Sequence, residues 1–191
     1  MPSQERAVYL TFDDGPIPEV TPWVLDTLAA YDAHATFFCV GRNAAANPDI
    51  LARIVAEGHA VGNHTWGHVN GWRTPLRSYM KEVVRAEQAL GQRGRRSLFR
   101  PPYGRITRQQ AQALSPRYAI VMWDVLSADF DTTLTGPQCL SHVVDHVRPG
   151  SIVVFHDSVK AWPRLHHALP ATLALLTAAG YTFHTLERLR A

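Results

Sequence analysis

Strand-like and helix-like segments alternate along this chain from end to end, and that alternation restricts the fold more than any other feature. Ala7 to Phe12 reads as a strand. A helix follows that Thr21 can cap, with Pro22 at its first position and Trp23, Leu25 and Leu28 on its apolar stripe. Ala35 to Val40 is a second strand, and Pro48 to Glu57 is a helix ended by Gly58. Ala60 to Asn63, Leu98-Phe99, Tyr118 to Trp123, Ser151 to Phe155 and Tyr181 to His184 are the remaining strands. Further helices are expected over Leu76 to Leu90, from Thr107 onward, over Gly136 to Val147 and over Arg164 to Ala179. Repeated β-then-α units imply a parallel sheet with helices outside it. A complete eight-unit barrel typically needs about 250 residues. A chain of 191 residues therefore suits one α/β domain over 1–191, a distorted, incompletely closed (β/α)7 barrel.

The formal net charge is only +3, and the basic residues are scattered. Arg93, Arg95 and Arg96 form the one dense run, which reads as a solvated loop rather than a nucleic-acid contact. Cys39 and Cys139 have neither the number nor the spacing of a disulfide framework or a structural zinc site. The segment Met1 to Arg6 lacks the apolar core of a signal peptide. No apolar stretch is long enough to span a bilayer. The expectation is a cytoplasmic monomer with no nucleic-acid or membrane partner, or a secreted protein if a leader has been removed.

In a parallel α/β barrel, residues just past the strand C-termini converge on one face. Asp13 and Asp14 follow the first strand, His64 the third, and Arg100 follows Phe99. Asp124 and Asp129 follow the strand ending near Trp123, and His156 follows Phe155. Asp13-Asp14-Gly15-Pro16 alone reads equally well as a turn. As a pair, however, one carboxylate can bind a metal while its neighbour acts as a base. His64 and His68 are four apart, and on a helical turn both imidazoles would lie on one side, where they can share a metal. The internal glutamate of the His-Glu-x-x-His zinc proteases is missing, so the base must come from elsewhere. Two histidines and a carboxylate leave coordination positions open, as a catalytic zinc site requires. The same set suits non-haem iron, so the ligands alone leave the metal open.

Thr11-Phe12-Asp13-Asp14-Gly15-Pro16, His64-Thr65-x-x-His68 and Arg100-Pro101-Pro102-Tyr103-Gly104 occur in that order. With these motifs the chain resembles the polysaccharide deacetylases of the NodB homology domain, carbohydrate esterase family 4, over nearly its whole length. The resemblance implies a distorted partial β/α barrel that removes N-acetyl groups from an N-acetylated sugar or polysaccharide. It implies one divalent ion, with zinc first and cobalt or nickel as substitutes, held by Asp14, His64 and His68. It makes Asp13 the general base, oriented by Arg100, and His156 the general acid, tuned by Asp129. The Tyr103 N–H, in the motif with Pro102, would stabilise the oxyanion.

Two positions depart from the family pattern. Phe130 stands where tryptophan is usual, and Val154 where leucine is usual. Both keep an apolar wall beside a small acyl group while changing its shape. Trp66 and Trp162, and less so Trp72 and Trp123, are candidates for stacking on sugar rings. The other histidines read as structural or surface residues. An O-acetyl esterase or small-amide amidase could use the same site. A non-catalytic carbohydrate-binding relative would be expected to lack Asp13 or His156. A non-haem iron oxygenase usually has an all-β scaffold.

Overall fold

The computed structural model describes residues 6–91 and 96–190. Residues 1–5, read above for a leader, lie outside the described residues, as do Arg93 and Arg95 of the basic run; Arg96 is exposed. The order is β1 (Ala7–Asp14), α1 (Val20–Ala29), β2 (Thr36–Cys39), α2 (Gly41–Ala46), α3 (Pro48–Ala56), β3 (Ala60–Asn63), α4 (Leu76–Ala89), β4 (Ser97–Phe99) and α5 (Arg108–Leu114). It continues with β5 (Tyr118–Ile120), β6 (Val125–Leu126), α6 (Gly136–Val144), β7 (Ile152–His156), α7 (Trp162–Ala178) and β8 (Thr182–Phe183). The pairings are parallel, in the order β5-β4-β3-β2-β1-β7-β6, with β8 beside the start of β1. This is the curled, open α/β half-barrel expected from the alternation. No helix of the described residues is long and apolar enough to cross a membrane.

Three local readings are corrected. The expected strand Tyr118 to Trp123 is only β5, because the chain then leaves β4 and pairs with β7 as the additional strand β6. The Val121 N–H bonds to Phe99 O and the Asp124 N–H to Ile152 O, so residues 121–124 connect the two edges of the sheet. That link spans at most about 18 Å even when fully extended, which forces the sheet to curl. Thr21 is not the cap of α1, which begins at Val20; its hydroxyl is bonded to Asp157 instead. The short α2 was not expected. Gly41 lets it lie against α4, where a Cβ would fall 2.7 Å from the Ala86 Cα, so packing rather than propensity places it.

Strand alternation sorts side chains onto two faces. Val8, Leu10 and Phe12 of β1, Phe37 and Cys39 of β2, and Val153 and Phe155 of β7 join the main core together with residues of α1, α6 and α7. The Phe12 ring stacks on Phe37 at 5.0 Å and on Phe155 at 6.0 Å, matching the strand register. The opposite parity fills the barrel with Ala7, Tyr9, Phe38, Ala60 and Leu98, and Leu186 joins them. Gly62 makes room here, since a Cβ would lie 2.4 Å from the Phe38 ring. Continued upward, the inner parity brings Thr11 and Asp13, then His64, Arg100 and His156, to the mouth. Cys39 and Cys139 are buried and unbridged.

Candidate active site

Asp13 ends the inner column of β1, level with His156 of β7 and Phe38 of β2. It is almost fully buried, and its Oδ1 accepts from Arg100 Nη1 at 2.8 Å. The wholly buried Arg100 guanidinium also donates to Thr11 Oγ1, Val121 O and Met122 O, and stacks 4.1 Å from the Phe38 ring centre. Burial opposes the charge of Asp13. Arg100, with His64 and His156, outweighs it and holds the carboxyl below its ordinary value. Asp13 Oδ2 lies 3.9 Å from His64 Nε2.

Simple alternation would turn Asp14 away from Asp13. Its φ of 92° breaks the alternation, and its Oδ1 lies 3.2 Å from His68 Nε2. The expected helical turn at 64–68 is absent: Thr65 (φ 63°) and His68 (φ 56°) are left-handed. Side chains and the backbone of neighbouring segments hold this loop in place of helical bonds. Asn63 Oδ1 accepts the Thr65 N–H, and Glu82 accepts the Gly67 N–H at its carboxylate and the Trp66 N–H at its carbonyl. Ligand atoms of Asp14, His64 and His68 come within 4.8 Å of one another.

These three residues fit a metal ion. His64 Nδ1 faces the Arg100 carbonyl at 2.8 Å, and a carbonyl only accepts, so the proton sits on Nδ1 and Nε2 keeps its lone pair. Burial lowers both His64 and His68 to about 4, leaving the imidazoles neutral, as coordination requires.

His156 faces this cluster from β7. Its Nδ1 donates to Asp129 Oδ1 at 2.7 Å and its backbone N–H to Oδ2 at 2.9 Å, so one buried carboxylate fixes both ring and backbone. Burial works against the imidazolium. The hydrogen bond and charge of Asp129, with Asp13 and Asp14, raise its pKa to about 9. Phe130 meets the His156 ring edge-on at 5.1 Å, and Val154 is buried two residues below it on the inner face. Tyr103 takes a left-handed φ of 61°, its hydroxyl lies 3.2 Å from His68 Nδ1, and Pro102 beside it is buried.

Asp124 is not part of this group. It accepts from Ser151 Oγ and the Ile152 N–H at the opposite end of β7, because the 121–124 link descends the barrel before β6 rises. Of the tryptophans, Trp162 packs on Trp23 and His166, Trp66 lies under Arg85, Trp123 borders Gly104, and Trp72 is exposed. Sequence reasoning missed several supports. Thr11 bonds Arg100 and Val153 O, Asn43 Nδ2 donates to Asp14 O, and Arg164 Nε donates to Asp129 O. Only Thr11 stood inside a quoted motif; Asn43 and Arg164 carry no local signal.

A family model described as polysaccharide deacetylase matches residues 1–116. The chain is 35% identical over 160 residues to a peptidoglycan-N-acetylglucosamine deacetylase of Bacillus cereus, covering 82% of this chain and 58% of that protein. It thus spans little more than half of that relative's length. It is 40% identical over 160 residues to a chitooligosaccharide deacetylase of a Bradyrhizobium species, covering 81% of this chain and 72% of the other. The solved structure of the peptidoglycan deacetylase PdaC from Bacillus subtilis superposes with a TM-score of 0.87 at 29% identity, covering 98% of this chain and 91% of that one.

Proposed function

Because the chain belongs to the polysaccharide deacetylase family, we propose that it is a metal-dependent hydrolase that removes N-acetyl groups from an N-acetylated glycan. One observation carries this reading. A paired carboxylate, a three-residue ligand set and a carboxylate-bound imidazole meet at one mouth. A non-catalytic sugar-binding surface does not require that combination.

Asp14, His64 and His68 would hold the ion, with zinc first and cobalt or nickel as substitutes. When bound, such an ion polarises a carbonyl and acidifies water. Asp13 accepts the proton of the water that adds to the acetamide carbon, and Arg100 keeps it ionised until then. The Tyr103 N–H, which makes no backbone bond among the described residues, donates to the acyl oxygen as it gains charge. His156, held as imidazolium by Asp129, protonates the nitrogen as the C–N bond breaks, releasing acetate and a free amine. Phe130 and Val154 border the space beside His156 where the acetyl methyl would lie.

The direct test is release of acetate together with a new primary amine from a panel of N-acetylated glycans. Chelation is expected to abolish both, and zinc, cobalt or nickel to restore them. Acetate without amine would mark an O-acetyl esterase instead.

The His156–Asp129 pair gives a pH prediction. In chelated protein, the His156 ring is expected to titrate near 9 by NMR, and Asp129→Asn to bring that midpoint below about 6.5, the ordinary histidine value. A folded pKa raised above the unfolded one contributes stability that is complete below about pH 6.5 and disappears as pH rises through the folded value. Unfolding of the chelated protein should therefore become easier across that window, and less so in Asp129→Asn. A His156 midpoint near 6.5 in the unsubstituted protein would contradict the pairing.

A further inference from the structure

Asp157 is fully buried, follows the proposed acid directly, and has no part in the chemistry above. Among the described residues no cation pairs with it. Its bonds run instead to the turn carrying Asp14. Oδ1 accepts the Gly15 N–H at 2.9 Å, and Oδ2 accepts the Thr21 hydroxyl at 2.6 Å. Thr21 Oγ1 in turn accepts the Ile17 N–H at 2.8 Å. The Asp157 N–H bonds back to Asp13 O at 3.1 Å. The carboxylate lies flush on the chain, since a Cβ at Gly15 would fall 1.9 Å from Oδ2.

Asp14 is held at φ 92°, a strained backbone for a non-glycine residue that persists only if its surroundings enforce it. Those surroundings are visible. Asn43 holds the Asp14 carbonyl, Val40 donates to the Gly15 carbonyl, and Asp157 holds the Gly15 N–H between them. Without that clamp, Asp14 would relax toward extended geometry and swing away from His68.

We propose that Asp157 is a positioning residue that fixes the Asp14–Gly15 peptide and thereby aims the Asp14 carboxylate at the bound ion. This rests on the metal reading above. Residues that orient ligands from outside the coordination sphere typically contribute about 10–100-fold in metal affinity.

The test is cobalt(II) binding to chelated protein, followed by competition and by the visible spectrum of the bound ion. Asp157→Ala is expected to weaken affinity by about 10–100-fold and to alter the spectrum. Asp157→Asn keeps an acceptor for Gly15 but presents an N–H where Oδ2 accepts the Thr21 hydroxyl, and should fall between Asp157→Ala and the unsubstituted protein. Leu173→Ala, a cavity in the helix-packed core, should lower the melting temperature while leaving cobalt affinity unchanged. Unsubstituted protein that binds no cobalt would remove the metal reading and this inference together. Asp157→Ala with unchanged affinity and spectrum would overturn this inference alone. If Asp157→Ala does not fold, Thr21→Val decides: weakened affinity supports the clamp, and unchanged affinity overturns it.

Discussion

Asp13→Asn is expected to cut acetate release by about 10²–10⁴-fold, the range a general base contributes, while leaving the metal bound. The amide is nearly the same size and keeps an oxygen for Arg100 Nη1, but it cannot take a proton from water. None of the three proposed ligands is altered, so cobalt affinity should stay close to that of the unsubstituted protein. Asp13 Oδ2 lies 3.9 Å from His64 Nε2, a proposed ligand atom. The substitution also leaves the buried Arg100 without its counter-charge, so the melting temperature must be recorded beside the rate. Lost activity in folded, cobalt-binding protein supports the base assignment. Near-normal turnover would remove Asp13 from that role.

Arg100→Met should be the most damaging substitution for stability. Breaking a buried ion pair by removing one partner costs roughly 3–5 kcal/mol, because it strands a buried charge. Here the loss extends further, since Thr11, Val121 O and Met122 O also lose a donor. Lysine cannot replace it, as an ammonium lacks the planar fork that reaches all four groups. Urea unfolding of chelated protein should show the loss above about pH 4. Asp13 has a depressed folded pKa, so the pair stabilises above the unfolded value near 3.9 and fades as pH falls through the folded one. The gap between the two proteins should narrow in acid. A gap unchanged from pH 7 to the acid limit would show that packing, not charge, is the main contribution of Arg100.

The repeated β-then-α pattern made the half-barrel legible, because strand parity and helix stripes are local signals. The same parity accounts for Asp13, His64, Arg100 and His156 sharing a mouth. Asp14 and His68 are different: left-handed backbone aims them, and Asn43, Glu82 and Asp157 enforce it from distant segments. Spacing alone suggested a helical turn for the two histidines and carried no sign of those contacts. The Thr21 cap failed for a related reason. A threonine before proline is a good cap by local rules, but its hydroxyl is committed to a carboxylate 136 residues away. Asp124 stands one residue before β6 and looked like a site residue. Its displacement follows from the 121–124 link, which only the closed shape of the sheet reveals.

That link also bears on solubility during folding. A parallel sheet that stays open presents two long rows of unpaired amides and carbonyls, each a template for another chain. Here β8, which pairs only with β1, has 2 residues, and the two ends of the strand order are β5, with 3, and β6, with 2. One continuous stretch of chain supplies both. Too little edge remains for a second molecule to extend the sheet, so the protein should resist strand-to-strand aggregation without charged gatekeepers on its rim.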